Sequence, residues 1–226
     1  MAVSGVSMWK LLYNIGLLFA APVIVGVLLT TPRCRRGLLQ RLGLDEGLSG
    51  RFGLSSLSRQ PDRPDRQERP VIWIHAVSLG EVIAVTPLVK ALHDRHPEFR
   101  YIVTTVTETG REAVEQRLGG IAEHRYAPLD FAWAVSGMVR RLRPMLYLFV
   151  ETELWPNLLW TLREQHVPAV LVNGRLSSRS FRRQDLPMIR SFYRSVIRTL
   201  TLCLMQSARD RDRIIALGAE PTRVQV

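Results

Sequence analysis

The sequence predicts an α/β domain built on a parallel, doubly wound sheet and preceded by one apolar helix long enough to cross a membrane. Two observations carry the sheet: from residue 71 onward short apolar runs alternate with helical patterns, and each of the best-marked runs ends in a polar turn. A third carries the helix: Leu11 to Thr31 contain no charged residue.

At 1.5 Å per residue that uncharged stretch makes a helix of roughly 30 Å, the thickness of a bilayer core. Asn14, Gly16, Pro22 and Gly26 weaken it as a soluble helix but are tolerated in membranes. Arg33, Arg35, Arg36 and Arg41 follow it, against Lys10 and the amino terminus in front, so the positive-inside rule puts everything after residue 32 in the cytoplasm. No small-x-small cleavage site follows, and Thr31-Pro-Arg-Cys34 is a poor lipoprotein box, so residues 1–32 read as an uncleaved single-pass anchor, with a monotopic hairpin or an interfacial helix as the alternative. Arg35 to Gly43 has helical apolar spacing with arginines between, which suits either an amphipathic helix on the membrane face or a solvated juxtamembrane helix. Leu44 to Pro70 is rich in Gly, Ser, Arg, Asp and Pro and reads as a linker, completing a juxtamembrane region over 33–70.

The domain proper is expected over 71–226. Strand Val71 to Val77 precedes helix Glu81 to His93; strand Tyr101 to Val106 precedes helix Arg111 to Leu118; strand His124 to Ala127 precedes helix Phe131 to Leu142. Met145 to Val150 leads to a helix from Trp155, Ala169 to Val172 to a polar helical stretch, and Leu200 to Met205 to a helix ending near Leu217-Gly218. A last strand begins at Arg223 and is expected to lack a partner, which suggests a truncated chain.

The formal charge of +11 comes almost wholly from arginine, since Lys10 and Lys90 are the only lysines, and favours phosphate-bearing partners or an anionic membrane. The usual marks of nucleic-acid binding are not evident, and no nucleic-acid partner is expected. Cys34 and Cys203 lie far apart, with no CxxC and no histidine at ligand spacing, so neither a disulfide framework nor a zinc site is supported. The five scattered histidines suit surface or strand-end roles.

Ligands of an open α/β sheet collect outside the carboxyl ends of the strands, so the turns there carry the chemistry. No Gly-x-Gly-x-x-Gly follows the first strand, and there is neither a Walker sequence nor a Gly-x-Ser-x-Gly elbow. After the first strand come Ser78, Gly80 and Glu81. Backbone amides at that turn suit an anion or hydroxyl, and Glu81 is placed either to take a proton from a bound hydroxyl or to favour the helix dipole. Thr104-Thr-Val-Thr-Glu-Thr-Gly110 offers Thr105 and Thr107 for capping or for hydroxyl and phosphate contacts. Glu151 and Glu153 follow the fourth strand with Trp155; Glu153, nearer the helix start, is favoured over Glu151 to serve the cleft, although capping satisfies the same geometry. Arg175 reaches the same rim, followed by Arg179, Arg182 and Arg183, a phosphate or headgroup face or a solvated basic helix.

Together, Trp73-Ile-His-Ala-Val-Ser-Leu-Gly-Glu81, the threonine turn, Glu151-Thr-Glu-Leu-Trp-Pro-Asn157, Asn173-Gly-Arg-Leu-Ser177 and Gln206-Ser207 with Leu217-Gly-Ala219 closely resemble the amino-terminal half of bacterial 3-deoxy-D-manno-octulosonic acid (Kdo) transferases. The resemblance implies the Rossmann-like amino-terminal domain of a GT-B glycosyltransferase that moves Kdo from CMP-Kdo to the lipid A precursor with inversion, at the cytoplasmic face of the inner membrane. It implies that Glu81 is the general base, and that Ser78, Gly80, Thr105, Thr107, Glu151, Glu153 and Arg175 bind substrate. No metal and no cofactor are called for, because CMP is a stable leaving group that fixed positive groups can assist. The donor-binding second half is not in the sequence, so the chain alone is expected not to turn over. The rival reading is a non-catalytic, membrane-tethered module that binds anionic lipid or glycolipid.

Overall fold

In the computed structural model, residues 3–30, 37–43 and 69–226 are described. Seven parallel strands form one sheet: β1 (Val71–His75), β2 (Arg100–Thr105), β3 (Ala122–Tyr126), β4 (Pro144–Val150), β5 (Ala169–Gly174), β6 (Leu202–Met205) and β7 (Val224–Gln225). Their order is β3-β2-β1-β4-β5-β6-β7, so the chain leaves β1 in one direction, returns after β3, and builds outward from β4 in the other. The last strand is not unpartnered: Val224 and Gln225 pair with Cys203 and Leu204.

Alternation along each strand sends side chains to two cores. Ile72, Ile74, Tyr101, Val103, Leu148 and Val150 pack with Val82, Val85 and Val89 of α3 (Leu79–Arg95) and with Ala113, Val114 and Leu118 of α4 (Glu108–Leu118). Trp73, Ile102, Tyr147, Phe149 and Leu171 face the other way. They meet α5 (Ala132–Leu142), α6 (Pro156–Glu164), α8 (Pro187–Ile197) and α9 (Ala208–Ala216). The expected polar helical stretch is two helices, α7 (Ser178–Gln184) and α8. Pro187 lacks the amide that would continue the first and takes the opening turn of the second.

Ahead of the sheet, α1 (Val3–Thr30) contains a stretch, Met8–Val27, of mean hydropathy 1.8, long and apolar enough to cross a membrane. Its early turns are docked on the domain. Trp9 meets Phe192 edge-on and donates to Ser191, Lys10 pairs with Glu164, and Tyr13 packs against Trp160 and Phe192. Asn14 and Asn157 exchange two amide hydrogen bonds of 2.9 and 3.0 Å, and Tyr13 donates to Asp130 at 2.9 Å. Asp130 in turn accepts from the backbone amides of Asn157 and Leu158, capping the start of α6, and Asn157 is fully buried. Beyond this stitch Ile15, Leu18, Phe19, Val23 and Val27 are exposed.

The short helix α2 (Leu38–Arg41) packs on the domain surface. The Arg41 guanidinium is buried over the Tyr126 ring, 4.7 Å from its centroid, and donates to the Val106 carbonyl; the Arg41 carbonyl accepts from the Leu129 amide. Gly37 has φ 70, and a Cβ there would stand 1.9 Å from Tyr126 Cδ2, so only glycine fits this approach. Arg33, Arg35 and Arg36, and the expected linker over 44–68, lie outside the described residues.

The stitch predicts its own energetics. Asn157→Ala strands the Asn14 amide and should lower stability by about 1–3 kcal/mol, whereas Lys10→Ala should cost under about 1 kcal/mol because its pair is partly solvated. Denaturant midpoints in mild detergent, at unchanged slope, check both values.

Candidate functional site

Strand order reverses between β1 and β4, the point of an open α/β sheet outside whose carboxyl edge ligands collect. The β1 loop delivers Glu81 on the first turn of α3. Ser78 is the N-cap but makes no side-chain cap; the polarity is inverted, with the Glu81 carboxylate reaching back. Its Oε2 accepts from the Val77 amide at 2.8 Å and its Oε1 from the Ser78 hydroxyl at 3.3 Å. Glu81 is only 8% exposed. Burial raises its pKa above the usual carboxylate range, the Val77 amide opposes this, and repulsion from Glu151 and then Glu153 adds to it.

The β4 loop brings those two acids. Glu151 adopts the left-handed conformation at φ 58, and its amide donates to the Val172 carbonyl, so the chain turns sharply before Trp155 opens α6. A non-glycine residue there carries about 1–3 kcal/mol of strain. Glu151 is half-buried and Glu153 exposed, and Glu151 repels the Glu81 charge more strongly. Trp155 lies edge-on to His75, the last residue of β1, at 5.4 Å. His75 is 2% exposed, contacts Thr104 Oγ1 through Nδ1 at 3.0 Å, and is held neutral by burial, its pKa lowered to about 4.

The second turn behaves differently. Thr105 is fully buried, with its hydroxyl engaged by His124 Nε2 at 2.9 Å and by the Thr107 carbonyl, so it cannot touch a ligand directly; its place in the expected binding set is corrected to a support of the turn. Thr107 caps α4 by accepting from the Gly110 amide, and donates to the Val77 carbonyl of the β1 loop at 3.4 Å. It holds the Glu81 turn against its neighbour. Around these threonines Tyr126 donates to Glu108, and Arg111 pairs with Glu108 and Glu115. Burial, with Arg111 nearby, lowers His124 to about 4.

Gly80 lies exposed at the start of α3, with open space where a Cβ would be. Arg175 is exposed on the β5 loop, and its carbonyl accepts from Thr152, joining that loop to the Glu151 turn. Beside it Asp210 accepts from the Leu176 amide and from Ser207. Ser78, Gly80, Glu81, Glu151, Glu153 and Arg175 thus share the carboxyl edge, on three consecutive strand ends. Asp130, which sequence reading passed over, is pushed up to about 6 by burial against the pull of its amide donors, and fixes the loop from behind. A single Asp two residues before a helical pattern gave no signal of that role. Among the described residues no group of three or more His, Cys, Asp or Glu is placed to hold a metal ion.

The fold is that of a Rossmann-like α/β domain of the GT-B kind, carrying an apolar amino-terminal helix. Solved structures of similar fold include the UDP complex of MnaA from S. aureus, at TM-score 0.52 and 16% identity over 70% of this chain and 44% of that one. Another is UDP-GlcNAc 2-epimerase from Neisseria meningitidis, at TM-score 0.50 and 14% identity over 70% and 46%.

The chain belongs to the 3-deoxy-D-manno-octulosonic-acid transferase (kdotransferase) family, whose model matches residues 46–226. It is 33% identical to the 3-deoxy-D-manno-octulosonic acid transferase of Haemophilus influenzae over 97% of its length and 48% of that protein. With the transferase of Chlamydophila psittaci it shares 30% identity over 80% of its length and 40% of that protein. The chain therefore spans about half the length of these relatives, and its family is one of glycosyltransferases.

The electrostatics of Glu81 can be read directly. In carboxyl-labelled protein Glu81 should titrate above the ordinary glutamate value by NMR; Glu151→Gln should lower its pKa, and Glu153→Gln should lower it less.

Proposed function

We propose that this chain is the acceptor-binding half, over residues 71–226, of an inverting transferase that moves Kdo from CMP-Kdo to the lipid A precursor at the cytoplasmic face of the bacterial inner membrane. The observation that carries the reading is the position of Glu81: a nearly buried acid at the point where strand order reverses, in a chain of the Kdo transferase family.

In this reading the acceptor hydroxyl sits against Glu81 Oε1, displacing the long contact from Ser78. As the hydroxyl oxygen bonds to the anomeric carbon of Kdo, its proton passes to Glu81 and CMP leaves with the electron pair of the broken bond. Oε2 stays bonded to the Val77 amide, which fixes the aim of the other oxygen. Glu151 and Glu153 keep Glu81 basic by repulsion, and Arg175 faces the phosphates of acceptor or donor. The excess of arginine and the apolar helix serve capture of an anionic, acylated acceptor at a membrane. The donor site lies mostly in the second half, so residues 1–226 alone bind acceptor without turnover.

The test uses the chain alone and the chain joined to the donor-binding half of a relative. The chain alone should bind lipid A precursor and transfer nothing; the joined enzyme should lose about 10²–10⁴-fold in kcat on Glu81→Gln, with acceptor binding retained. Rate should rise with pH through a pKa above the ordinary carboxylate range, because only the ionised acid accepts the proton. An undiminished Glu81→Gln enzyme removes the catalytic assignment.

A further inference from the structure

A concave surface lies at the opposite, amino edge of the sheet, and no step of the proposed transfer uses it. It is a cavity of about 800 Å³ between the start of α1, the ends of α6 and α8, and the residues that lead into β6 and β7. Lys10 pairs with Glu164 at the end of α6 and Asn14 with Asn157 at its start, so α1 runs antiparallel to α6. The exposed apolar stretch of α1 past Asn14 therefore departs from the other end of α6, away from this cavity.

Arg163, Arg194, Arg198 and Arg223 line it. All four are exposed, and among the described residues none of them pairs with a carboxylate. Of the two acids in the lining, Glu164 is neutralised by Lys10 at 2.6 Å, which leaves Glu220 to face the arginines. The carboxyl ends of α6 and α8 meet here, and their dipoles favour the cations at Arg163, Arg194 and Arg198. They do not account for Arg223, nor for mutually repelling cations gathered around a hollow with so little countercharge.

The backbone makes room for this arrangement. Gly218, at φ 116 after α9, has no Cβ where Arg194 lies; one would stand 2.5 Å from Arg194 Cγ, so the arginine stem crosses the glycine. Arg223 is held by donating to the Leu200 carbonyl at 3.3 Å. An apolar wall completes the lining. Trp9 is half-buried, with its indole nitrogen donating to Ser191 at 3.3 Å, and Trp160, Leu200 and Cys203 are buried. A planar ring can stack on an indole, guanidinium forks match phosphate oxygens, and the volume suits a nucleotide-sized molecule.

We propose that this cavity is a second ligand site, which takes a soluble organic phosphate with its planar ring against Trp9 and its phosphates against Arg194, Arg198 and the two neighbouring arginines. The site owes nothing to Glu81, so its failure leaves the transfer reading as it stands.

The experiment titrates residues 1–226, in mild neutral detergent, with ATP, adenosine and inorganic pyrophosphate in a calorimeter. ATP should bind at least about 10-fold more tightly than either fragment, because it alone carries both ring and phosphates. Arg194→Ala/Arg198→Ala, at two exposed positions, should weaken ATP about 10-fold or more. Trp9→Leu should weaken ATP and leave pyrophosphate unchanged. Arg182→Ala/Arg183→Ala on α7, outside the cavity, should bind ATP as the native chain does. Absence of ATP binding, ATP binding that survives Arg194→Ala/Arg198→Ala, or pyrophosphate binding as tight as that of ATP overturns the proposal. Displacement of ATP by phosphatidylglycerol added to the micelles assigns the cavity to a lipid headgroup and overturns it too.

Discussion

Everything in this domain follows from one topological constraint, that β1 lies in the interior of a parallel sheet and the chain departs from it in both directions. Crossovers between parallel strands are right-handed, so helices reached by moving one way cover one face and those reached by moving the other way cover the opposite face. The loops after β1 and β4 must then part. Their parting brings Glu81 within reach of the charges of Glu151 and Glu153.

That placement decides what Glu81 is. An acid in a first helical turn normally gains from the helix dipole and the free amides, which would keep its pKa low. Here the Val77 amide does pull down, but burial and two facing carboxylates outweigh it. The result is an acid whose basicity is raised while one oxygen stays fixed. The neighbouring turn contributes rigidity instead of contact, since Thr107 bonds across to the Val77 carbonyl and Thr105 is locked by His124.

The sheet and its edge were legible in the sequence because apolar runs and polar turns are local patterns. Glu81, Glu151, Glu153 and Arg175 each follow such a run, and the topology brings them to one edge. What was not legible depends on contacts remote in sequence. Arg41 reads as one more membrane-proximal arginine until Tyr126, 85 positions on, receives its guanidinium. Thr105 and Thr107 look alike in the sequence, and only the position of His124 separates a buried hydroxyl from a capping one. The last strand seemed unpartnered because strand order, which puts β6 beside it, is not written in the local pattern.

The docked amino-terminal helix connects to the Glu81 edge of the sheet through few intermediates. Asn14 and Tyr13 on α1 bond Asn157 and Asp130; Asp130 caps α6; and α6 begins directly after the Glu151 to Trp155 turn. Because Asn157 is fully buried and its amide is shared between α1 and the Asp130 carbonyl, the helix cannot swing without stranding buried polar groups. A flexible tether would merely raise local concentration. This connection fixes the orientation of the second acidic loop relative to the apolar helix.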